Sequence, residues 1–314
     1  MAKPASIFHA LPLALLLAAG APDLRAADGR IPISASGTIA QPGSYYLTRD
    51  LTSAAVTLTI SAVNVTLDLA GYAVASTNNG SNVIAATDGA SGLELFGGRI
   101  TGGGTGVRVG VNGGARNIKL HDLKLTGQFN SAVEAGGFTT PTRNITLERL
   151  LIANTRVQGV VCWNCDGGLI RNNHLSAVAA GGGAGILLSS GGIGTRITGN
   201  LIRSFGEGIV VSAVTACLVT RNSIAGATTN GIDVNAASRN QVRDNLVING
   251  AAGGFGINVN NGNQNTIEGN STMNDGGYGI STTGAGNVYA RNRSQGNGAN
   301  YFIAPGNVNG GGNF

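Results

Sequence analysis

This chain has little of what helical or nucleic-acid-binding proteins rely on. Lysine occurs three times and glutamate five times in 314 residues, and charged residues make up 11%. Exposed helix faces need strong helix formers, and only Ala and Leu are plentiful here. Arginine supplies most of the positive charge, scattered singly along the chain. The formal charge of +5 therefore forms no Lys/Arg tract, and no nucleic-acid partner is expected. No apolar run approaches the roughly 20 residues that span a bilayer, so membrane insertion is not expected either. Three cysteines and three histidines are too few, and wrongly spaced, for a zinc framework.

What is present points to short strands. Glycine accounts for 52 residues and asparagine is abundant, yet 42% of the chain is hydrophobic. A disordered low-complexity chain lacks that apolar content. Apolar residues held between Gly/Asn turns suit strands of a few residues each.

The first residues have the layout of a secretory signal. Lys3 precedes an apolar run from Leu11 to Ala19, and Ala26 offers a small residue before a cut. Residues 1–26 are read as a signal peptide, which predicts a secreted or periplasmic protein. Residues 27–306 are read as one β-domain, and 307–314 as a flexible Gly/Asn-rich tail.

Internal repeats decide the fold. An apolar residue, two variable residues and Asn recur as Ile170–Asn173, Ile197–Asn200, Val219–Asn222, Val242–Asn245, Ile267–Asn270 and Tyr289–Asn292. A Gly–Ile marker keeps time with it at Gly185, Gly208, Gly231, Gly256 and Gly279, in steps of 23, 23, 25 and 23 residues. Upstream, Gly106-Val107, Ala132-Val133 and Gly159-Val160 hold the same frame. A period near 23 with short alternating segments predicts a solenoid of about nine or ten stacked coils, all β, each strand pairing in parallel with its counterpart one coil away. The recurring Asn suits a corner, where it tolerates left-handed backbone and its amide bonds to neighbours above and below. It is read as an inward structural ladder.

These repeats resemble those of right-handed parallel β-helix proteins related to pectate lyases and to periplasmic NosD-type proteins. The segments Gly37–Leu47 and Val63–Tyr72 resemble the opening of many bacterial members, and the resemblance spans roughly residues 33–305. It implies a single-stranded right-handed parallel β-helix. For function it implies only a range, from polysaccharide lyases, hydrolases and epimerases to adhesins, because this fold carries unrelated activities.

Strand alternation sorts outward from inward residues. The row after the inward position of the pre-Asn strand reads His121, Glu148, Arg171, Thr198, Thr220, Arg243 and Glu268, with Lys119 beside its start. A lyase needs a base for the proton beside a uronate carboxylate, and a positive group or metal to neutralise that carboxylate. The resemblance to lyases makes His121 or Lys119 the candidate base, Arg171 the clamp and Glu148 an orienting or metal-binding group. The same residues also read as cross-strand ion pairs, worth about 0.2–1 kcal/mol each. No cofactor is fixed by these residues, and Ca2+ stays open.

A second outward row follows the marker: Arg108, Glu134, Val161, Leu187, Val210, Asp233, Asn258 and Ser281. Its apolar stretch suits a covered stripe. Two oxygen ligands at Asp233 and Asn258 are too few to define a cation site. No two acids fall on adjacent coils within one row, which weighs against a hydrolase with paired carboxylates. Cys162-Trp163-Asn164-Cys165 allows a local disulfide or an inward Cys162, and Cys217 is expected buried and inert. Trp163 reads as packing in a corner or as a sugar-stacking ring.

Two functions follow as expectations. One is an exported carbohydrate-binding or carbohydrate-active protein, with a lyase on acidic polysaccharide favoured over a hydrolase if it is an enzyme. The other is a non-catalytic surface or adhesive scaffold. Metal handling of the NosD kind lacks Met or His clusters.

Overall fold

The computed structural model describes residues 28–314, apart from 111–113, 138, 179–181, 249 and 251–252. The signal-peptide reading of residues 1–26 lies outside the described residues.

The inward apolar positions explain the architecture. Leu95, Leu120, Leu147, Ile170, Ile197, Val219, Val242 and Ile267 sit opposite one another in successive parallel strands, and each is fully buried. A second stack runs through Val107, Val133, Val160, Ile186, Ile209, Ile232, Ile257 and Ile280. One coil cannot bury these side chains; its neighbours, about 4.8 Å above and below, complete the core. The result is an all-β parallel solenoid with one continuous hydrophobic interior.

Among the described residues the strands form two sheets, one of 23 strands and one of twelve. The twelve-stranded sheet takes one strand per coil, from Gly37–Ile39 to Ala299–Ile303. The coil count thus exceeds the nine or ten expected, because the first coils carry neither the Asn nor the Gly–Ile marker. The larger sheet takes two strands per typical coil, flanking the Asn corner, as in Gln241–Arg243 and Leu246–Ile248.

The Asn corner is a ladder. Asn173, Asn200, Asn222, Asn245, Asn270, Asn292 and Asn313 each accept, at Oδ1, the backbone N–H of the residue one coil earlier. The side-chain amides also donate from one Asn to the next, as from Asn245 to Asn270 at 3.0 Å. The residue before each ladder Asn is left-handed, at φ of 54° for Asn172, 56° for Arg221 and 53° for Asp244 and Arg291. That conformation is costly for non-glycine residues, and the buried ladder bonds offset it. Leu123 and Leu150 hold the position in earlier coils, where the corner is apolar.

A second ladder, through Asn240, Asn265, Asn287 and Asn307, closes the neighbouring corner. Residues 307–314, read as a tail on composition, contain Asn307 and Asn313 of the two ladders, and Val308–Asn309 pairs with Val288–Ala290. Their Gly/Asn richness is that of a corner.

Glycine marks the third constraint. A Cβ on Gly159, Gly185, Gly208, Gly231 or Gly256 would run into the carbonyl oxygen of the marker glycine one coil later. Cys162 and Cys165 are bridged, with Cα atoms 5.8 Å apart, and Cys217 is free and buried.

Candidate functional site

The structure brings the four sequence-selected residues together. His121, Glu148 and Arg171 occupy one row of successive strands, and Lys119 lies two residues before His121. They belong to a continuous chain of charges (Lys119, Glu94, His121, Asp122, Arg149, Glu148 and Arg171). Lys119 Nζ donates to Glu94 Oε1 at 2.8 Å. The His121 ring lies between two carboxylates, Nε2 at 3.0 Å from Glu94 Oε1 and Nδ1 at 2.7 Å from Asp122 Oδ2. It stacks on Phe96, with ring centres 5.0 Å apart. Arg149 grips Asp122 through two bonds of 2.7 Å and reaches Glu148 Oε1 at 2.9 Å. Arg171 Nε donates to Glu148 Oε2 at 2.6 Å.

The electrostatics follow from that pairing. The Arg149 guanidinium, then His121, holds the Asp122 carboxyl well below the usual carboxylate range. Lys119 does the same for Glu94. Burial pushes Glu148 up, but Arg171 and Arg149 outweigh it and keep the carboxyl low. Three fixed cations face three carboxylates. Both His121 nitrogens face acceptors, so a ligand proton reaches a free lone pair only if one of these contacts opens. Sequence reasoning missed Glu94, Asp122 and Arg149. The first lies one coil earlier beside Lys119, and the other two stand at left-handed corner positions that strand alternation does not reach.

Farther along the same face, Glu268 sits between Arg243, at 3.3 Å, and Arg291. With Asp244 and Gly269 they line a shallow pocket of about 240 Å³.

The outer face of the twelve-stranded sheet is chemically different. In the row after the marker, Arg108 and Glu134 approach to 3.8 Å, Val161 and Val210 are buried, and Asn258 Nδ2 donates to Asp233 Oδ1 at 2.8 Å. Beside it runs a row that the sequence reading did not use: Glu207, Asn230, Phe255 and Tyr278 in successive strands. Asn230 Nδ2 donates to Glu207 Oε1 at 3.2 Å. Phe255, Tyr278 and Phe302 form an aromatic stack, with centres 5.7 and 5.3 Å apart. Phe302 is 43% exposed and continues the row of Asp233, Asn258 and Ser281. The signal was in the sequence, since Glu207, Asn230, Phe255 and Tyr278 each directly precede a marker glycine.

Asp233 is 7% exposed, and burial, reinforced by the Glu207 charge, pushes its carboxyl up to about 6. The two acids lie one coil apart in neighbouring rows rather than in one row, which is why reading a single row did not pair them. Among the described residues no group of three or more His, Cys, Asp or Glu is placed to hold a metal. No helix among them is long and apolar enough to cross a membrane.

A coil of parallel strands, two Asn ladders and a continuous core together define a parallel β-helix. The chain belongs to the right-handed β-helix family, whose model for a right handed beta helix region matches residues 138–295. No curated protein sequence matches it. Several solved structures share the fold. The A-module of the Azotobacter vinelandii mannuronan C-5 epimerase AlgE6 aligns at TM-score 0.61 and 18% identity, over 87% of this chain and 90% of that one. A periplasmic alginate epimerase, AlgG, carrying the D317A substitution aligns at 0.62 and 13%, over 89% and 75%. The tailspike protein of E. coli bacteriophage HK620, as a double mutant in complex with pentasaccharide, aligns at 0.64 and 15%. That match covers 90% of this chain and 60% of the tailspike.

Proposed function

We propose that this is an exported carbohydrate-binding or carbohydrate-active β-helix protein whose contact face is the outer face of the twelve-stranded sheet. The observation that carries the reading is the aromatic stack of Phe255, Tyr278 and Phe302 bordering the polar row of Asp233, Asn258 and Ser281. Aromatic rings present flat apolar surface to the C–H face of a sugar, and planar amides and carboxylates bond its hydroxyls. A binding site needs this mixture of apolar surface and a few placed polar groups. The structural neighbours, two epimerases of polysaccharide and a tailspike bound to pentasaccharide, agree with a polysaccharide partner.

Affinity electrophoresis against a panel of polysaccharides tests the reading. The wild-type chain is retarded by at least one polymer, and Tyr278→Ala and Phe302→Ala lose most of that retardation. Retention unchanged in both variants moves the contact to another face.

A second reading rests on the His121, Glu148, Arg171 and Lys119 cluster: a lyase on acidic polysaccharide, with His121 or Lys119 as base and Arg171 as clamp. It requires the charge chain to open on binding. Ultraviolet absorbance at the unsaturated-uronate band, with and without Ca2+, reports this activity directly. Turnover that survives single alanine substitution of His121, Glu148 and Arg171 removes them as catalytic groups. Retention without turnover favours a binding or adhesive scaffold.

A further inference from the structure

Resting on the face assigned above, a finer feature of its chemistry points to the class of glycan. From Ala184 onward the outward rows of the twelve-stranded sheet hold Glu207, Asn230, Phe255 and Tyr278 in one file, and Val210, Asp233, Asn258, Ser281 and Phe302 in the next. A third file adds Ser212, Asn235 and Asn260. None of these positions is Lys or Arg.

The cation nearest this stretch along its own rows is Arg108, and it is partnered by Glu134. Five strand steps separate Arg108 from Asp233 in the register, which at about 4.8 Å per step is about 24 Å. The charges this stretch does carry are the two carboxylates of Glu207 and Asp233. Each accepts a hydrogen bond from an Asn amide, and among the described residues neither is met by a cation. The arginines of the molecule cluster instead on the larger sheet, where Arg149, Arg171, Arg243 and Arg291 are bound to acids.

A uronate or sulfated chain laid over Asn258, Phe255, Tyr278 and Phe302 would bring its anions near the carboxylates of Glu207 and the largely buried Asp233, with no cation among the described residues of these rows to neutralise them. Like charges in a poorly hydrated site cost several times what they cost in water. A chain of uncharged pyranose units meets no such opposition. Its hydroxyls find two carboxylate acceptors and the amides of Asn258, Asn235 and Asn260, and its apolar faces find Phe255, Tyr278 and Phe302.

We infer that the polysaccharide held on this face is uncharged, and that Glu207 and Asp233 exclude acidic polymers from it. The contrast with the larger sheet is built into one molecule: arginines paired with acids there, and on this stretch aromatic rings, amides and two acids outside any ion pair among the described residues.

The test is affinity electrophoresis at pH 7 in two polymer series, neutral (a β-glucan, a mannan, a galactan) and acidic (polygalacturonate, alginate), each at 50 and 500 mM NaCl. A neutral polymer is expected to retard the wild-type chain equally at both salts, since no screened ion pair is involved. Tyr278→Ala is expected to weaken that binding at least tenfold. Retardation by an acidic polymer that Tyr278→Ala abolishes overturns the inference and leaves the face intact. Retardation by a neutral polymer that Tyr278→Ala and Phe302→Ala leave unchanged removes the face, and the inference with it. Failure of every polymer in both series to retard the chain overturns both.

Discussion

Asn245 and Asn270 are joined twice: the backbone N–H and the side-chain Nδ2 of Asn245 both donate to Asn270 Oδ1, each at 3.0 Å. The Asn270 side chain then donates to Val242 O at 2.8 Å and to the next Asn of the ladder. Every polar atom of this buried corner is answered from the coil above or below.

Asn270→Ala leaves two donors of Asn245 without an acceptor in a site that is 1% exposed. A loss of about 2–4 kcal/mol in unfolding free energy is expected. Thermal and urea denaturation measure it. A loss under about 0.5 kcal/mol would show that the ladder only decorates a corner fixed by other means.

Asp275 stands at a corner where the next coil has Asn297. Asn297 Nδ2 donates to Thr272 O, whereas Asp275 has a bare oxygen, Oδ2, at the corresponding place; it is buried without a partner. Burial pushes this carboxyl up to about 6. The sign follows: between the unfolded value near 3.8 and about 6 the folded chain holds a proton that the unfolded chain has lost. Asp275 therefore contributes most below pH 4, and its contribution falls as pH rises to about 6. Asp275→Asn is expected to raise the melting temperature above pH 6 and to change it little below pH 4. Equal shifts at both ends would rule the proton out as the cause.

The charge chain around His121 has unequal members. The Glu148 side chain is 5% exposed and holds two arginines, whereas Arg171 is 44% exposed. Glu148→Ala is expected to cost about 1–3 kcal/mol, because it empties a buried position and takes away the hydrogen bonds that both arginines make there. Arg171→Ala is expected to cost under about 1 kcal/mol. Calorimetry of the two variants decides it, and the reverse order would show that Arg171 carries the network.

The Cys162–Cys165 bridge closes a loop with a sequence separation of only three. Such a loop restricts the unfolded chain little, so reduction is expected to lower stability by no more than about 2 kcal/mol. A melting curve with and without reductant checks it. A collapse of the fold on reduction would assign the bridge a larger structural part.

Periodicity carried the fold because every inward Ile or Val recurs in the sequence at the coil length, and so does the ladder Asn. The second ladder escaped because Thr195 and Cys217 hold its earlier positions, so its Asn recurs only from Asn240 onward. The cluster at His121 was half legible. Alternation places His121, Glu148 and Arg171, but Asp122 and Arg149 turn toward them only through left-handed corners. The pairing of Glu207 with Asp233 across two rows required the lateral positions of residues on neighbouring strands, which a one-row alignment does not hold. Two members of the aromatic stack, Phe255 and Tyr278, were in plain view, each one residue before a marker glycine.

The glycine column has a consequence for how such a chain changes size. Each marker glycine is fitted to the carbonyl of the next, and each ladder Asn to the Asn before it. Adding or removing a few residues within a strand would break both fits between that coil and its neighbours, whereas one whole repeat spliced from marker to marker keeps them. The molecule's length is thus quantised, and its two sheets lengthen or shorten one rung at a time.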